Sequence, residues 1–183
     1  LLGNIQDQYE NLDLEKVKFE NFDSLEKFML HRIYTINENF KNNFKLYNFH
    51  NLYKELLNFC TVELSAFYFD IRKDTLYCEA LNSEKRKNCI TLLNIILQCL
   101  LKWFAPILSF TTEEIYQLVK KEEDRQSIHL QNFVSVPNSW NNEELSSDWE
   151  YVKKIRDVAN ISIENMRAEK SVSYTHLRAH ETQ

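Results

Sequence analysis

Glycine is almost missing from this chain: of 183 residues only Gly3 is a glycine, and only two are prolines. A glycine-rich phosphate loop is thereby excluded. Sheet-rich folds need turn residues at many corners, so this scarcity predicts long helices with few connections. Cysteine is sparse as well. Cys60, Cys78, Cys89 and Cys99 stand 18, 11 and 10 residues apart, without the Cys-x-x-Cys pair of a zinc or redox site. Cys60, Cys89 and Cys99 fall among apolar helix positions, which predicts reduced thiols and a cytoplasmic protein. No signal-peptide pattern and no apolar run of about 20 residues occurs. The apolar stretch 90–108 is broken by Asn94, Gln98 and Lys102 and reads as a core helix, not a membrane span. His-Glu-x-x-His and Gly-x-Ser-x-Gly patterns are also lacking, so the residues predict no metal site and no catalytic constellation.

What is present is apolar and aromatic: 44% hydrophobic and 13% Phe, Trp and Tyr, which excludes a disordered chain. A chain of this size buries roughly 70% of its unfolded surface. The net charge of −5 argues against a general polyanion binder. Its distribution is uneven. Residues 7–26 hold seven acids and two lysines and so carry −5 alone, leaving the rest about neutral. Five bases face three acids over 153–170, and four face one over 31–54, so a local basic face is compatible with the sequence.

Periodicity predicts five helices. Asp23 and Glu26 have capping-box spacing before the stripe Leu25, Phe28, Met29, Ile33, Ile36, Phe40 and Phe44, which runs to about Lys45. A second stripe, Leu52, Leu56, Phe59, Cys60, Leu64 and Phe67, ends near Asp70. Residues 73–81 read as a connecting loop. Asn82 or Ser83 caps a third helix carrying Ile90, Leu93, Leu97, Leu100, Leu101 and Phe104, interrupted at Ala105-Pro106. Thr111-Thr112-Glu113-Glu114 opens a short fourth helix to about Lys121. Residues 122–125 read as a charged loop, 127–133 as extended and 137–145 as loop. The last helix is capped near Ser147 and Asp148, with Trp149, Val152, Ile155, Val158 or Ala159, Ile163 and Met166 as its stripe. Helices joined by short connections make an antiparallel all-α bundle.

The functional question is sharpest at LSAFYFDIRKDTLYC, residues 64–78, where an aromatic run meets the charges Asp70, Arg72, Lys73 and Asp74. Rings beside cations are what a single-stranded RNA loop requires, because splayed bases stack while ammonium and guanidinium groups hold phosphates. Tyr47, Phe49, His50, Tyr68 and Tyr77 can supply rings; Arg72, Lys73, Lys153, Lys154 and Arg156 can supply charge. The plainer alternative is that the rings pack the bundle and the charges form a solvated rim. His31 and His50 read as satisfied or solvated histidines, and Glu63 as half of a structural ion pair.

The order LLGNI, YNFHNLYKELLNFCTVELSAFYFDIRKDTLYC, LKWFAPILSFTTEEIY, SIHLQNF, PNSW and ENMRAEK closely resembles bacterial isoleucyl-tRNA synthetases of class I, in the helical anticodon-binding domain. The motifs that carry it are Leu-Ser-x-Phe-Tyr-x-Asp at 64–70, Lys-Asp-x-Leu-Tyr at 73–77, and Ala-Pro-Ile-Leu-x-x-Thr-x-Glu-Glu at 105–114. Valyl and leucyl relatives share some of them. The resemblance implies a helical bundle over 23–170 and a linker at 1–22 following a catalytic core. Residues 171–183 are expected to be a non-native tail, since the family continues with Ile-Gly-x-Ser-Leu and this chain does not. The implied partners are the anticodon stem-loop of an isoleucine tRNA and the catalytic core of the parent chain, with no membrane. Phe49, His50, Arg72, Lys73, Lys153 and Arg156 are the expected RNA contacts, with Asp70 and Asp74 bracing a polar corner. ATP, Mg²⁺ and a C-terminal zinc are implied for the full enzyme, none for this stretch, which is expected to be inactive alone. The competing expectation is a helical scaffold without RNA affinity.

Overall fold

The computed structural model describes residues 2–5, 9–120 and 126–168. Among these there are no strands; the all-α expectation holds. The chain divides into a unit up to Asn142 and a second from Glu143 onward. The first contains α1 (Leu2–Ile5), α2 (Ser24–Lys45), α3 (Phe49–Asn58), a π-helical stretch (Phe59–Phe69), α4 (Asp70–Cys78), α5 (Glu84–Phe104) and α6 (Ser109–Val119). The second contains α7 (Glu143–Ala168). No described helix is long and apolar enough to cross a membrane.

The α2 stripe is buried as its spacing requires, from Leu25 through Phe40. Asp23 is the N-cap residue, but its side chain makes no capping bond, and Glu26 turns inward instead of completing a capping box. The chain reverses through Tyr47, which has φ 55°, and then runs continuously helical from Phe49 to Cys78. The expected loop at 73–81 is therefore a helix for most of its length. Its polar composition is overridden because Arg72, Thr75 and Leu76 are buried, and packing rather than propensity supplies most helical stability in proteins.

The π-helical stretch sets the phase of this long helix. Glu63 and Arg72 are nine residues apart, about two and a half turns of a regular α-helix, which would point them to opposite sides. Bonding of i→i+5 type underwinds the intervening turns. Both side chains thereby reach α2, Glu63 pairing with Arg32 and Arg72 with Glu26.

Helix α5 is buried on more sides than one stripe provides, with Leu92, Ile95, Ile96 and Cys99 inaccessible beside Leu93. Its polar residues Asn94 and Gln98 are buried too, and they explain how the N-terminal segment is held. Asn94 Oδ1 accepts from the Glu10 N–H at 3.4 Å. Gln98 brackets Leu12, accepting from its N–H and donating to its carbonyl, both at 3.1 Å. Asn88 donates to the Asn21 carbonyl at 3.1 Å. Residues 9–22, with 3₁₀ turns at Leu14–Lys16 and Phe19–Asn21, are thus a strap fastened to α5 by side-chain amides.

Helix α6 begins at Ser109, ahead of the expected Thr111 capping box, and Leu108 provides no side-chain cap. Glu113 instead reaches the 3₁₀ turn Ile128–Leu130, in the segment expected to be extended. A second 3₁₀ turn, Asn138–Trp140, lies within the expected loop and inserts the fully buried Trp140. The expected charged loop at 122–125 and the tail at 171–183 lie outside the described residues.

Helix α7 starts at Glu143, earlier than Ser147, with Glu143 and Glu144 in the first turn suiting the positive end of the dipole. Its apolar stripe is not core. Val152, Ile155, Val158, Ile163 and Met166 are 45–65% exposed, because a lone helix has nothing in its own described unit to cover them.

Candidate nucleic-acid interface

The expected site residues are separated by the structure rather than gathered. Phe49 and His50 open α3, whereas Arg72 and Lys73 lie in α4 at the far end of the same helix. With sequence separations of 22 to 24 residues along one continuous helix, the two pairs are roughly 30 Å apart.

At the first end, α2 turns into α3. Tyr47 is 80% exposed and Phe49 lies at the surface, as does His50. The rings support one another. Phe49 meets Phe44 edge-on at 5.8 Å and Tyr47 at 6.4 Å, and Phe44 in turn meets Phe133 at 4.9 Å. Lys45 and Lys54 flank this corner.

At the other end, Arg72 does not behave as a surface cation. It is 8% exposed, and Nε and Nη2 each lie 2.6 Å from a Glu26 carboxylate oxygen. Burial works against its charge, but the hydrogen bonds and charge of Glu26 outweigh this and hold the guanidinium protonated more firmly than usual. Tyr68 donates to Glu26 at 3.3 Å and lies 3.2 Å from Cys89 Sγ. Burial, then the neighbouring Cys89 and Glu26, push the Tyr68 phenol well above its ordinary value, so it stays neutral. Neither Arg72 nor Tyr68 faces solvent; the expectation of both as an RNA-facing cation and ring is corrected by this buried network.

Lys73 does face solvent and pairs with Asp70 at 3.3 Å, an exposed contact of the kind that contributes little. Asp74 is exposed on α4. Asp70 and Asp74 thus lie on a helix, not in the expected loop corner. Past Cys78 the chain turns into α5, whose first turn is Glu84-Lys85-Arg86-Lys87. Arg86 Nη1 donates to the Glu79 carbonyl at 3.1 Å and ties the two helices together there. Windows of twenty or so residues dilute this run of three bases with its acidic neighbours, and a three-residue window would have found it. On α7, Lys153 pairs with Glu150 at 2.8 Å and Arg156 is half-buried.

His31 is a satisfied structural residue, its Nδ1 accepting from the Asn142 N–H at 2.9 Å. Glu63 is half of a structural ion pair, as its position within a stripe predicts, held by Arg32 at 2.8 Å. No group of three His, Cys, Asp or Glu side chains converges on a metal position among the described residues.

Residues 26–177 match the family described as the anticodon-binding domain of tRNA ligase. The chain belongs to that family. This anticodon-binding domain is 59% identical over 172 residues to an isoleucine–tRNA ligase of Pelagibacter ubique (strain HTCC1062), covering 94% of the chain and 19% of the relative. It is 38% identical over 158 residues to the isoleucine–tRNA ligase of Agrobacterium fabrum, covering 86% of the chain and 16% of the relative. With that of Mesorhizobium japonicum it shares 40% over 160 residues, or 87% and 16%. The chain thus spans less than a fifth of the length of these curated relatives.

Proposed function

We propose that this domain binds the anticodon stem-loop of an isoleucine tRNA, within a ligase that joins isoleucine to that tRNA. The 59% identity to an isoleucine–tRNA ligase across 94% of the chain carries this reading. The exposed residues Phe49 and His50 at one end and Lys73 at the other, with the half-buried Lys153 and Arg156 on α7, are its candidate contacts. ATP and Mg²⁺ supply the activation chemistry of such a ligase. The described residues do not fit them, lacking both a glycine-rich phosphate loop and a converging carboxylate group. That chemistry therefore belongs to the remainder of the ligase, and this domain's part is to hold and orient RNA.

The test is titration of the chain with a labelled isoleucine-tRNA anticodon stem-loop at low and moderate salt, beside a scrambled-loop control. Tighter binding of the true loop, weakening by roughly 0.7 log units per log unit of salt for each neutralised phosphate, is the expected result. Equal binding of both loops would overturn anticodon reading by the domain alone.

A further inference from the structure

Of the two ends of the long helix running from α3 to α4, we infer that the α4–α5 tip is the one that meets RNA, through Lys73, Tyr77, Lys85 and Lys87. This rests on the reading that the domain binds a tRNA loop. Three observations lead to it. First, the bases of the α5 initial turn are electrostatically misplaced for folding. The N-terminal end of a helix favours acids and disfavours cations, yet Lys85, Arg86 and Lys87 follow one another there. Arg86 has a structural task in holding the Glu79 carbonyl. Lys87 has only an exposed partner, Glu84 at 3.0 Å, and Lys85 is exposed on the same turn.

Second, an exposed ring stands one turn from a further cation on α4, the helix that precedes this turn. Tyr77 is 73% exposed, and it follows Lys73 by four residues on α4, so both occupy one helix face. A flat ring one turn from an ammonium group is a stacking platform with a phosphate contact beside it. Third, Phe49, the ring expected to meet RNA at the other end, is already engaged. Phe49 packs edge-on with both Phe44 and Tyr47, so its surface supports the α2–α3 corner.

The acids of the tip, Asp70, Asp74, Glu79 and Glu84, are interleaved with its bases. This tip is therefore no general polyanion face. It suits one unstacked base and two or three phosphates of a single-stranded loop, rather than the dense charge of a duplex.

The experiment uses the chain with the anticodon stem-loop as probe. Lys85→Ala/Lys87→Ala should weaken binding at least fivefold and reduce the salt slope by roughly 0.7 for each phosphate left without its ammonium partner. Lys85→Arg/Lys87→Arg should keep the slope. Tyr77→Ala should weaken binding about tenfold with the slope unchanged. All these side chains are exposed, and circular dichroism should show unaltered helix content. If these variants bind as the parent does while Phe49→Ala/His50→Ala lowers affinity, the tip is overturned and the tRNA reading stands. If the unaltered chain binds neither loop at any salt, both fall.

Discussion

Arg72 and Glu26 hold each other through two 2.6 Å contacts, across 46 residues of sequence, at the junction of α2 and α4. Each residue is open to a different role in the sequence. Glu26 has the spacing of a capping-box acid and Arg72 that of a surface cation beside aromatics. Their pairing, with Tyr68 donating to the same carboxylate, turns both into an inter-helix clamp. With Arg32–Glu63 it forms a reciprocal set, in which α2 and the long helix each contribute one acid and one base. Such a set penalises register shifts, because any slip leaves buried charge unpaired.

Arg72→Ala should therefore cost about 3–5 kcal/mol, the range for removing one partner of a buried pair. Lys73→Ala, one residue on and exposed, should stay within about 0.5 kcal/mol. Urea unfolding of the two variants separates them. A small loss for Arg72→Ala would mean that water reaches Glu26 and that the clamp is weaker than its geometry.

The strap makes a second prediction. Gln98→Ala leaves the Leu12 N–H and carbonyl without the amide that brackets them. A loss of about 1–2 kcal/mol is expected, at the lower part of the range for orphaned polar groups because the strap can lift into water. Hydrogen exchange of the Leu12 amide should accelerate while α2 amides remain protected. Uniform acceleration would instead mean that the strap is part of the global folding unit.

Legibility follows what is local. The α2, α3 and α5 stripes are readable because burial repeats at helical spacing, and Leu52, Leu56 and Leu93 are inaccessible as that spacing demands. The helix at 70–78 is not readable, because Arg72 looks polar in sequence and is buried only through a partner 46 residues away. Gln98 is legible as a break in an apolar run but not as a clamp, since its partner is the Leu12 backbone, which carries no side-chain signal. The family is legible from its motifs. A single binding surface is less so, since the aromatic-and-cation pattern that groups Phe49 with Lys73 spans opposite ends of one helix.

Core packing along α5 should be graded. Leu93 is fully inaccessible, whereas Leu97, 5% exposed, lines an open groove of about 510 Å³ with Leu100, Leu101, Phe104 and Ile115. Leu93→Ala should approach the upper part of the range of about 2–5 kcal/mol typical of Leu→Ala, and Leu97→Ala the lower part, near about 2 kcal/mol, because an open groove leaves less enclosed void. Thermal unfolding of both variants checks the order. Equal losses would show that the groove closes over Leu97 in solution.

Acid should remove the Glu113 tie between α6 and the turn at Ile128–Leu130 before it unfolds the bundle. Glu113 Oε2 accepts from the Ser127 hydroxyl at 2.7 Å and the Ile128 N–H at 3.0 Å. The Ser127 bond foremost, with those from Gln117 and Ile128, holds the carboxyl below its usual range. A folded-state value below the unfolded one means that the contribution is fully present above the ordinary glutamate range. It is lost as pH falls through the depressed folded value. The Ile128 amide resonance should therefore titrate at a pH below that of an unperturbed glutamate, and Glu113→Gln should abolish the titration. A midpoint at the ordinary glutamate value would show that the three bonds do not persist in solution and that α6 is joined to this turn by its other contacts, among them His129 with the Ser109 carbonyl.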